Sequence, residues 1–285
     1  MPLWWWFCLG VGLLLAVTAL YGATVVAWRF RLQQVEVRPP LWPAELDGLT
    51  LLQLSDLHCR RSSRVENWLA QLAETVETPD LVVLTGDFCD GRAGLESCGA
   101  ALARFRGRLG TFAILGNHDF YGPQQSTYVA QMLDGAGARL LRDEGLAVRT
   151  EAGEFWLAGV SYVRLDRGGT YEPPLAQALA GRGERPVLLL VHSPDAIIEA
   201  ADAGVALMIS GHTHAGQICF PGGLPVINGL DRFSVTRHSR GVSQRDQTTL
   251  VVSPGLGATQ PAIRLNCEPA ALWITVRATA PDSGS

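Results

Sequence analysis

The residues of this sequence best suited to chemistry are its histidines and the aspartates and asparagine beside them. Five of the six histidines lie in or between four short clusters. In chain order the clusters are Asp56-Leu57-His58, Gly86-Asp87-Phe88-Cys89-Asp90, Gly116-Asn117-His118-Asp119 and Gly211-His212-Thr213-His214, with His192 standing alone before the last. Imidazole nitrogens and carboxylate oxygens together suit Mn, Fe or Zn, and two such ions side by side can clamp a phosphate group. The pattern predicts a centre for two divalent metal ions.

The residues of the clusters are also predicted to have different chemical roles. Two neighbouring cations need a carboxylate between them to relieve their repulsion, and Asp87 is the predicted bridge. Water held by such ions loses a proton near neutral pH and can attack phosphorus. His118 and Asp119 are the predicted catalytic residues, because a positioned imidazole can protonate the leaving oxygen and a nearby carboxylate raises its basicity.

Each cluster, like His192, directly follows an apolar run that is typical of a buried β-strand. Predicted strands cover residues 50–54, 81–85, 111–115, 155–160, 187–191, 205–210, 249–252 and 271–276, and predicted helices cover 64–77, 95–108, 124–135, 174–179 and 195–202. This alternation favours a layered α/β domain. Ligands at the carboxyl ends of strands would converge on one crevice. The glycines at 86, 116 and 211 are expected to let the chain turn there without a Cβ clash.

The composition allows one large domain and argues against some partners. Hydrophobic residues make up 47% of the 285 residues and charged residues 18%, which is typical of a globular protein. The net charge of −4 argues against a broad basic surface for nucleic acid. The six cysteines follow no paired spacing, so buried free thiols are expected.

Residues 4–28 contain no charged side chain, and these 25 positions exceed the ~20 that a helix needs to cross a bilayer. Tryptophans at both ends suit the two headgroup regions. A cleaved signal peptide is the less favoured alternative, since no Lys or Arg precedes the apolar run. The predicted organisation is an anchor at 1–31, a connector at 32–48, a catalytic domain at 49–278 and a polar tail at 279–285.

Positive charge follows the predicted span. Arg29, Arg31 and Arg38 outnumber Glu36 there, and positive residues near a span favour the cytoplasmic side. We therefore expect a single-pass protein of a bacterial inner membrane with a cytoplasmic catalytic domain. The sequence predicts no oligomeric state.

The ordered motifs Asp-x-His, Gly-Asp-x-x-Asp, Gly-Asn-His-Asp, His and Gly-His-x-His resemble those of the calcineurin-like metallophosphoesterase superfamily. The resemblance covers about residues 49–214 and implies a two-sheet α/β sandwich. It implies one metal site formed by Asp56, His58, Asp87 and His214. It implies a second site formed by Asp87, Asn117, His192 and His212. His118 matches the family's histidine that assists the phosphate or the leaving group without binding metal.

A narrower resemblance, to a membrane-anchored bacterial branch, is carried by Gly-Asp-Phe-Cys-Asp, Gly-His-Thr-His-Ala-Gly-Gln and a late Gly-Leu-Gly. That branch includes phosphodiesterases and a UDP-2,3-diacylglucosamine pyrophosphatase of lipid A synthesis. This chain has Ser253-Pro254-Gly255 where the branch tends to have Ser-Arg-Gly. Arg264 is then the candidate substrate contact in place of the missing arginine.

Several polar residues have two interpretations. Asp90 is expected to orient a metal ligand, although it could instead cap the following helix. His238 is predicted to be a solvated loop residue. The arginines at 60, 61 and 64 either attract an anionic headgroup or begin a helix.

The resemblance and the anchor together imply hydrolysis of a phosphate ester or pyrophosphate at a membrane surface. The sharpest expectation is conversion of UDP-2,3-diacylglucosamine to lipid X and UMP, with two ions, most readily Mn. An amphiphilic substrate would need an apolar pocket, formed from residues 120–132 and 217–233 unless these only pack the core. One alternative is a phosphodiesterase or phosphatase acting on soluble nucleotides or wall components. The other is a non-catalytic scaffold, against which the complete ligand set argues.

Overall fold

The computed structural model describes residues 2–60, 64–162, 174–226 and 239–279. The strands are β1 Arg31–Val37, β2 Leu49–Leu54, β3 Leu81–Leu84, β4 Gly110–Ala113, β5 Arg139–Leu140, β6 Glu144–Arg149, β7 Glu154–Val160, β8 Val187–Val191, β9 Leu207–Ser210, β10 Gly241–Arg245, β11 Thr248–Val252 and β12 Ala270–Val276. The α-helices are α1 Leu3–Thr24, α2 Arg64–Thr75, α3 Leu95–Leu102, α4 Gln125–Gly135, α5 Leu175–Ala178 and α6 Ile197–Asp202.

Two six-stranded mixed sheets form the centre of the domain. The first has the order β1-β12-β2-β3-β4-β5 and the second β10-β11-β9-β8-β7-β6. Their facing side chains form one buried cluster, which contains Leu51 and Val83 from the first sheet and Leu188 and Ile209 from the second. The predicted two-sheet α/β sandwich is confirmed.

Helices cover the outer faces of both sheets. The apolar sides of α2, α3 and α4 pack on the first sheet, as in α2, where Val65, Leu69 and Leu72 are buried. Helices α5 and α6 cover the second sheet. Strands buried on both faces explain why their sequences are nearly continuous apolar runs.

Parallel pairing places the ends of the central strands at one edge, the metal edge. In the first sheet β2, β3 and β4 run parallel, and in the second β7, β8, β9 and β11 do. Gln53 joins the two sheets just below this edge, because its buried amide donates to Thr85 Oγ1 and to the carbonyl of Ser210, both at 2.9 Å. The loops that carry the predicted ligands therefore leave a rigid common base.

Strand β1 occupies residues that were expected to belong to the connector. All seven of its residues pair in parallel with β12, from Arg31↔Ala270 to Val37↔Val276. Its side chains are mostly polar and exposed because it is the outermost strand of the sheet, which leaves it without an apolar run. Strands β5, β6 and β10 were also absent from the prediction, being very short or lying at sheet edges.

The apolar N-terminal segment forms the helix α1, as predicted. Residues Leu3–Trp28, counting the short 3₁₀ turn at Val26–Trp28, are long and apolar enough to cross a membrane. Nearly every side chain of α1 is exposed, and its buried residue is Gly22. We call residues 3–28 the anchor.

The cysteines are free, as expected. Cys8 is exposed on the anchor, and the other five are buried in the catalytic domain. Of the predicted polar tail, residue 279 belongs to the part described here and 280–285 lie outside it.

Candidate metal centre

Three of the predicted ligands meet at the metal edge. Two of them lie in the loop after β2, and the third belongs to the last motif. Asp56, His58 and His214, which we call the first group, place their ligand atoms within 4.8 Å of one another. The Nε2 atoms of His58 and His214 are 3.2 Å apart, and His214 Nε2 lies 3.7 Å from Asp56 Oδ1. Nitrogen and oxygen donors at this spacing can surround one cation.

A second group lies beside the first. Asp87, His192 and His212 have their ligand atoms within 4.8 Å of one another, with His212 Nδ1 3.2 Å from His192 Nε2. Asn117 Oδ1 is 3.1 Å from the same His192 nitrogen. The structure thus brings together the amide, the isolated histidine and the first histidine of the last motif.

Asp87 lies between the two groups. Its Oδ2 is 3.7 Å from His58 Nε2 and 3.3 Å from His192 Nε2. Its other oxygen accepts a hydrogen bond from the backbone N–H of His118 at 2.8 Å, which fixes the carboxylate plane. This position is the one that a carboxylate shared by two cations must have.

The backbone is strained where the ligands lie. Positive φ values occur at Asp56, His58, Asp87, His212 and His214, between 45° and 71°. L-residues adopt this conformation at a cost, and such strain persists when the surrounding structure enforces it and often marks functional sites. Six further non-glycine residues of the described chain have positive φ and are not predicted ligands, so the strain accompanies the ligand geometry at these five positions and does not select them by itself.

Two glycines make the close approach of the loops possible. A Cβ at Gly116 would collide with the Asp87 carboxylate, and one at Gly211 would collide with Ser55 and the Asp56 carboxylate. Gly86 has the predicted role in turning the chain, since its φ is 91°. Positions 116 and 211 require glycine for a different reason, because there is no space for a side chain.

The buried carboxylates require positive charge nearby. Burial opposes the charge on Asp87, but His192, His58 and His118 outweigh it and hold the pKa of Asp87 well below its usual range. Burial likewise opposes charge on His192, yet Asp87 raises the pKa of His192 to about 10. Divalent cations bound here would supply that charge and displace the histidine proton. The donor set fits two such ions.

His214 is already suited to ligation. Burial, together with the nearby His58 and Arg264, keeps the pKa of His214 well below the ordinary imidazole value. A neutral imidazole is the form that binds metal.

Arg264 is placed differently from the expected substrate contact. Its side chain is fully buried, and its guanidinium donates to the carbonyls of Pro254, Gly255 and Gly257 and lies 3.4 Å from His214 Nδ1. Its backbone N–H donates to the carbonyl of Gly22 in the anchor at 3.3 Å. Arg264 thus links the anchor to the first group and presents no surface to a phosphate.

Asp90 connects a ligand to the predicted catalytic histidine. Its Oδ1 lies 2.7 Å from His58 Nδ1 and 3.2 Å from His118 Nδ1, and its Oδ2 accepts from Arg60 Nε at 3.0 Å. Burial opposes its charge, but His118, His58 and Arg60 keep the pKa of Asp90 low. Burial also opposes charge on His118, and Asp90 and Asp87 reverse this and raise the pKa of His118.

Asp119 does not contact the His118 ring, unlike the expectation. It is fully buried, and its two oxygens accept backbone N–H groups of Gly116, Asp87 and Phe88 at 2.8–2.9 Å. Burial and the neighbouring Asp87 charge raise the pKa of Asp119 to about 8. Asp119 holds two ligand loops together, and the carboxylate beside the His118 imidazole is that of Asp90.

Two tyrosines near the centre were not singled out from the sequence. The Tyr121 hydroxyl accepts from Asn117 Nδ2 at 3.1 Å, and its ring is 4.6 Å from that of His118. The Tyr162 ring lies about 6 Å from those of His192 and His212. Tyr162 follows the end of β7 by two residues, so the rule that selected the ligands could also have selected it.

The two segments expected to form an apolar pocket supply exposed side chains. Phe120 is 44% exposed next to His118, and Phe220, Leu224 and Val226 are 47–56% exposed. Residues 227–233, the rest of the second segment, lie outside the described residues, as do Arg61 and His238.

Comparison with known proteins found a matching family model and several similar proteins. A model of the family described as calcineurin-like phosphoesterase matches residues 49–216. A transmembrane protein with metallophosphoesterase domain from Danio rerio is 32% identical over 260 residues, covering 85% of this chain and 56% of that protein. Phosphodiesterase YaeI from Escherichia coli is 29% identical, covering 77% of this chain and 78% of its own.

A third relative has a named lipid substrate. UDP-2,3-diacylglucosamine pyrophosphatase LpxG from Chlamydia muridarum is 34% identical over 139 residues, covering 44% of this chain and 40% of that protein. The chain spans about half the length of the two vertebrate relatives that it matches. These two relatives are named as transmembrane proteins, and the described part of this chain contains a helix long and apolar enough to cross a membrane.

Proposed function

The chain belongs to the calcineurin-like phosphoesterase family, and from this premise we propose that it hydrolyses a lipid-linked pyrophosphate or phosphodiester at a membrane surface. UDP-2,3-diacylglucosamine, cleaved to lipid X and UMP, is the specific substrate. Two divalent ions, most readily Mn, would be held by Asp56, His58, Asp87, Asn117, His192, His212 and His214. When bound, such ions polarise the phosphoryl oxygens and activate water.

His118 is the residue that serves the leaving group. Its side chain is 24% exposed, against 1% for His58, so it can reach a substrate while the ligand histidine cannot. Asp90 lies 3.2 Å from its Nδ1, which favours the protonated ring and turns Nε2 outward as the donor. Donating a proton to the leaving oxygen leaves a neutral ring that Asp90 still orients.

The observation that carries the membrane substrate is the position of the anchor. The anchor leads directly into β1, and Arg31 at the start of β1 pairs with Ala270, whose N–H donates to the carbonyl of Gly255. Gly255 in turn lies against Asp56, because a Cβ there would be 2.7 Å from that of Asp56. The anchor therefore enters the domain at the metal edge, and the bilayer and the metal centre are neighbours.

The surface around the anchor suits a bilayer. The loop with exposed Phe220 and Leu224 lies next to Tyr21 of the anchor, with which Gly222 and Gly223 share a cavity. Apolar and aromatic side chains at this level would sit among headgroups. This arrangement favours a substrate that resides in the membrane.

We place the catalytic domain in the cytoplasm of a bacterial cell. Arg29, Arg31 and Arg38 follow the span, although Arg29 and Arg31 also pair with Glu268, at 3.7 Å and 2.5 Å. The positive flank favours retention on the cytoplasmic side, where nucleotide-linked lipid precursors would be presented.

The test is hydrolysis by the purified full chain with Mn. UDP-2,3-diacylglucosamine is compared with UDP-glucosamine and with an aryl phosphodiester, and Asp87→Ala serves as the inactive control. Release of UMP from the acylated compound is expected. Cleavage of the aryl phosphodiester alone would favour the second candidate, a phosphodiesterase or phosphatase acting on soluble nucleotides or wall components, and the longer match to phosphodiesterase YaeI supports that candidate.

A further inference from the structure

A cleft separates the end of the anchor from the loop that carries His58. Its volume is about 340 Å³, within the range of about 300–1,000 Å³ that is usual for small-molecule sites. We call it the anchor cleft. Its apolar lining consists of Trp28, Leu57, Val65, Leu256, Ala258 and Ala262.

The lining residues of the anchor cleft differ in character. Trp28 of its lining is the last residue of the anchor. Leu57 and His58 of the same lining belong to the loop of the predicted metal ligands after β2. Arg60 and Arg64 also line the cleft and are its cationic members. An apolar chain and an anionic head would each meet suitable surface.

The walls of the cleft are held in place by packing. Trp28 Nε1 donates to the carbonyl of Ala23 at 2.8 Å, and the Trp28 ring packs edge-on to Phe30, with centroids 6.2 Å apart. The guanidinium of Arg64 lies over the other ring surface, 5.0 Å from its centroid. Val26 and Ala27 are buried against the domain. The cleft is therefore a preformed space, which costs a ligand little reorganisation.

A larger cavity nearby is not lined by any residue of the two metal groups. It encloses about 990 Å³ beside Arg29, Arg31 and Arg240. The anchor cleft, by contrast, is lined both by the last residue of the anchor and by a predicted metal ligand.

We propose that the anchor cleft binds an acyl chain of the substrate while its phosphate-linked head occupies the metal centre. This inference rests on the proposed function and adds the route: the substrate enters sideways from the bilayer, along the anchor. The anchor is then part of the substrate site and not only a tether.

The test narrows the mouth of the cleft. Ala262 is half-buried at the cleft and Ala152 is exposed in the turn between β6 and β7, at the opposite edge of the sheets. Ala262→Trp and the control Ala152→Trp are prepared as full chains in nanodiscs of zwitterionic lipid. The measurement is kcat/KM for UDP-2,3-diacylglucosamine divided by kcat/KM for the aryl phosphodiester. Blocking an apolar subsite should lower this ratio about tenfold or more in Ala262→Trp, with no change in the control.

The outcomes separate the two proposals. If the wild type cleaves the acylated substrate and the ratio is unchanged in Ala262→Trp, the cleft assignment is overturned and the proposed function stands. If the wild type cleaves only the aryl phosphodiester, the lipid-linked substrate is overturned, and the cleft assignment with it. Ala258→Trp, from the other half-buried alanine of the cleft, repeats the test if Ala262→Trp fails to fold.

Discussion

The two halves of the metal centre are supported in different ways. In the second group, His192 is completely buried and its Nδ1 lies 2.7 Å from the carbonyl of Thr85, so main-chain structure between the sheets orients it. In the first group, charged side chains orient the histidines: Asp90 faces His58, and Arg264 faces His214. Within the described residues, the first group is connected to the anchor through the backbone hydrogen bond between Arg264 and Gly22.

We therefore expect the second group to be rigid and the geometry of the first group to depend on the position of the anchor. A backbone carbonyl at the end of a buried strand can move only with the sheet. Arg264, whose backbone N–H donates to Gly22 of the anchor and whose side chain faces His214, moves with that helix. Perturbing the anchor should therefore affect the first group and spare the second.

The largest expected effect comes from the residue that the halves share. Asp87→Asn removes the negative charge between the two groups, so both ions should be lost and hydrolysis of an aryl phosphodiester should fall on the order of a thousandfold or more. Metal content and kcat report the two changes. Asp134→Asn, at an exposed position of α4, is the matched control. Retention of two bound ions by Asp87→Asn would contradict the shared role.

Asp90→Asn attacks the support of the first group. Because Asp90 orients both His58 and His118, kcat/KM should fall about 10–100-fold, the usual cost of losing a partner of a metal ligand. Metal titration should show weakened binding of one ion and not two. A loss of both ions together would mean that the two halves are not independent.

The anchor offers a matched pair of glycines for the next test. A Cβ at Gly22 would meet Ile263, Arg264 and Leu265 at 2.9–3.0 Å, whereas one at Gly12 would meet nothing within 4 Å. Gly22→Leu should push the anchor from Arg264 and weaken binding of one Mn ion about tenfold. Gly12→Leu makes the same chemical change in the same helix and should bind Mn like the wild type. Equal behaviour of the two variants would separate the anchor from the metal centre.

The smallest effect is expected at the opposite edge of the sheets. Asp80 accepts from the N–H and Oγ1 of Thr50, both at 2.8 Å, and from Arg108. Burial raises the pKa of Asp80, but these donors outweigh it and the net pKa is lowered. The stabilisation is thus present above the unfolded-state pKa of about 3.9 and is lost as pH falls through the lower folded value.

Asp80→Asn should therefore reduce stability at neutral pH by about 1 kcal/mol and leave hydrolysis unchanged. Thermal unfolding followed from pH 7 downwards is the measurement. The difference in Tm between the variant and the wild type should shrink as the pH approaches the folded pKa. A constant difference across that range would show that the charge of Asp80 is not what stabilises the strands.

The sequence identified candidate ligands more readily than the residues that support them. Ligand types and their positions after apolar runs are local properties, so seven candidate ligands could be selected without a structure, and their binding of metal stays a prediction. The partner of His118 could not, because a chain that turns sharply after His118 sends the adjacent Asp119 into the core and leaves Asp90, from another loop, beside the ring. Adjacency along the chain was a poor guide to adjacency in space.

Arg264 and β1 were misjudged for a related reason. A buried arginine is exceptional, and only the carbonyls of a turn brought back by the fold make Arg264 a structural residue. Strand β1 carries few apolar residues because one of its edges has no neighbour, so its sequence pattern resembles a linker. Strand β1 depends on a partner strand at the other end of the domain, and Arg264 depends on a turn formed by residues 254–257.

The pairing of β1 with β12 has a consequence for biosynthesis. The first strand of the domain cannot pair until the last strand has been made, since the described partner of Arg31–Val37 is Ala270–Val276. A nascent chain whose anchor has already entered the bilayer would hold β1 unpaired while the ribosome makes nearly all of the remaining domain. The segment around Arg264, which joins the anchor to the metal centre, is also translated late. The domain would therefore complete its anchor-facing half only after residues 270–276 have been made.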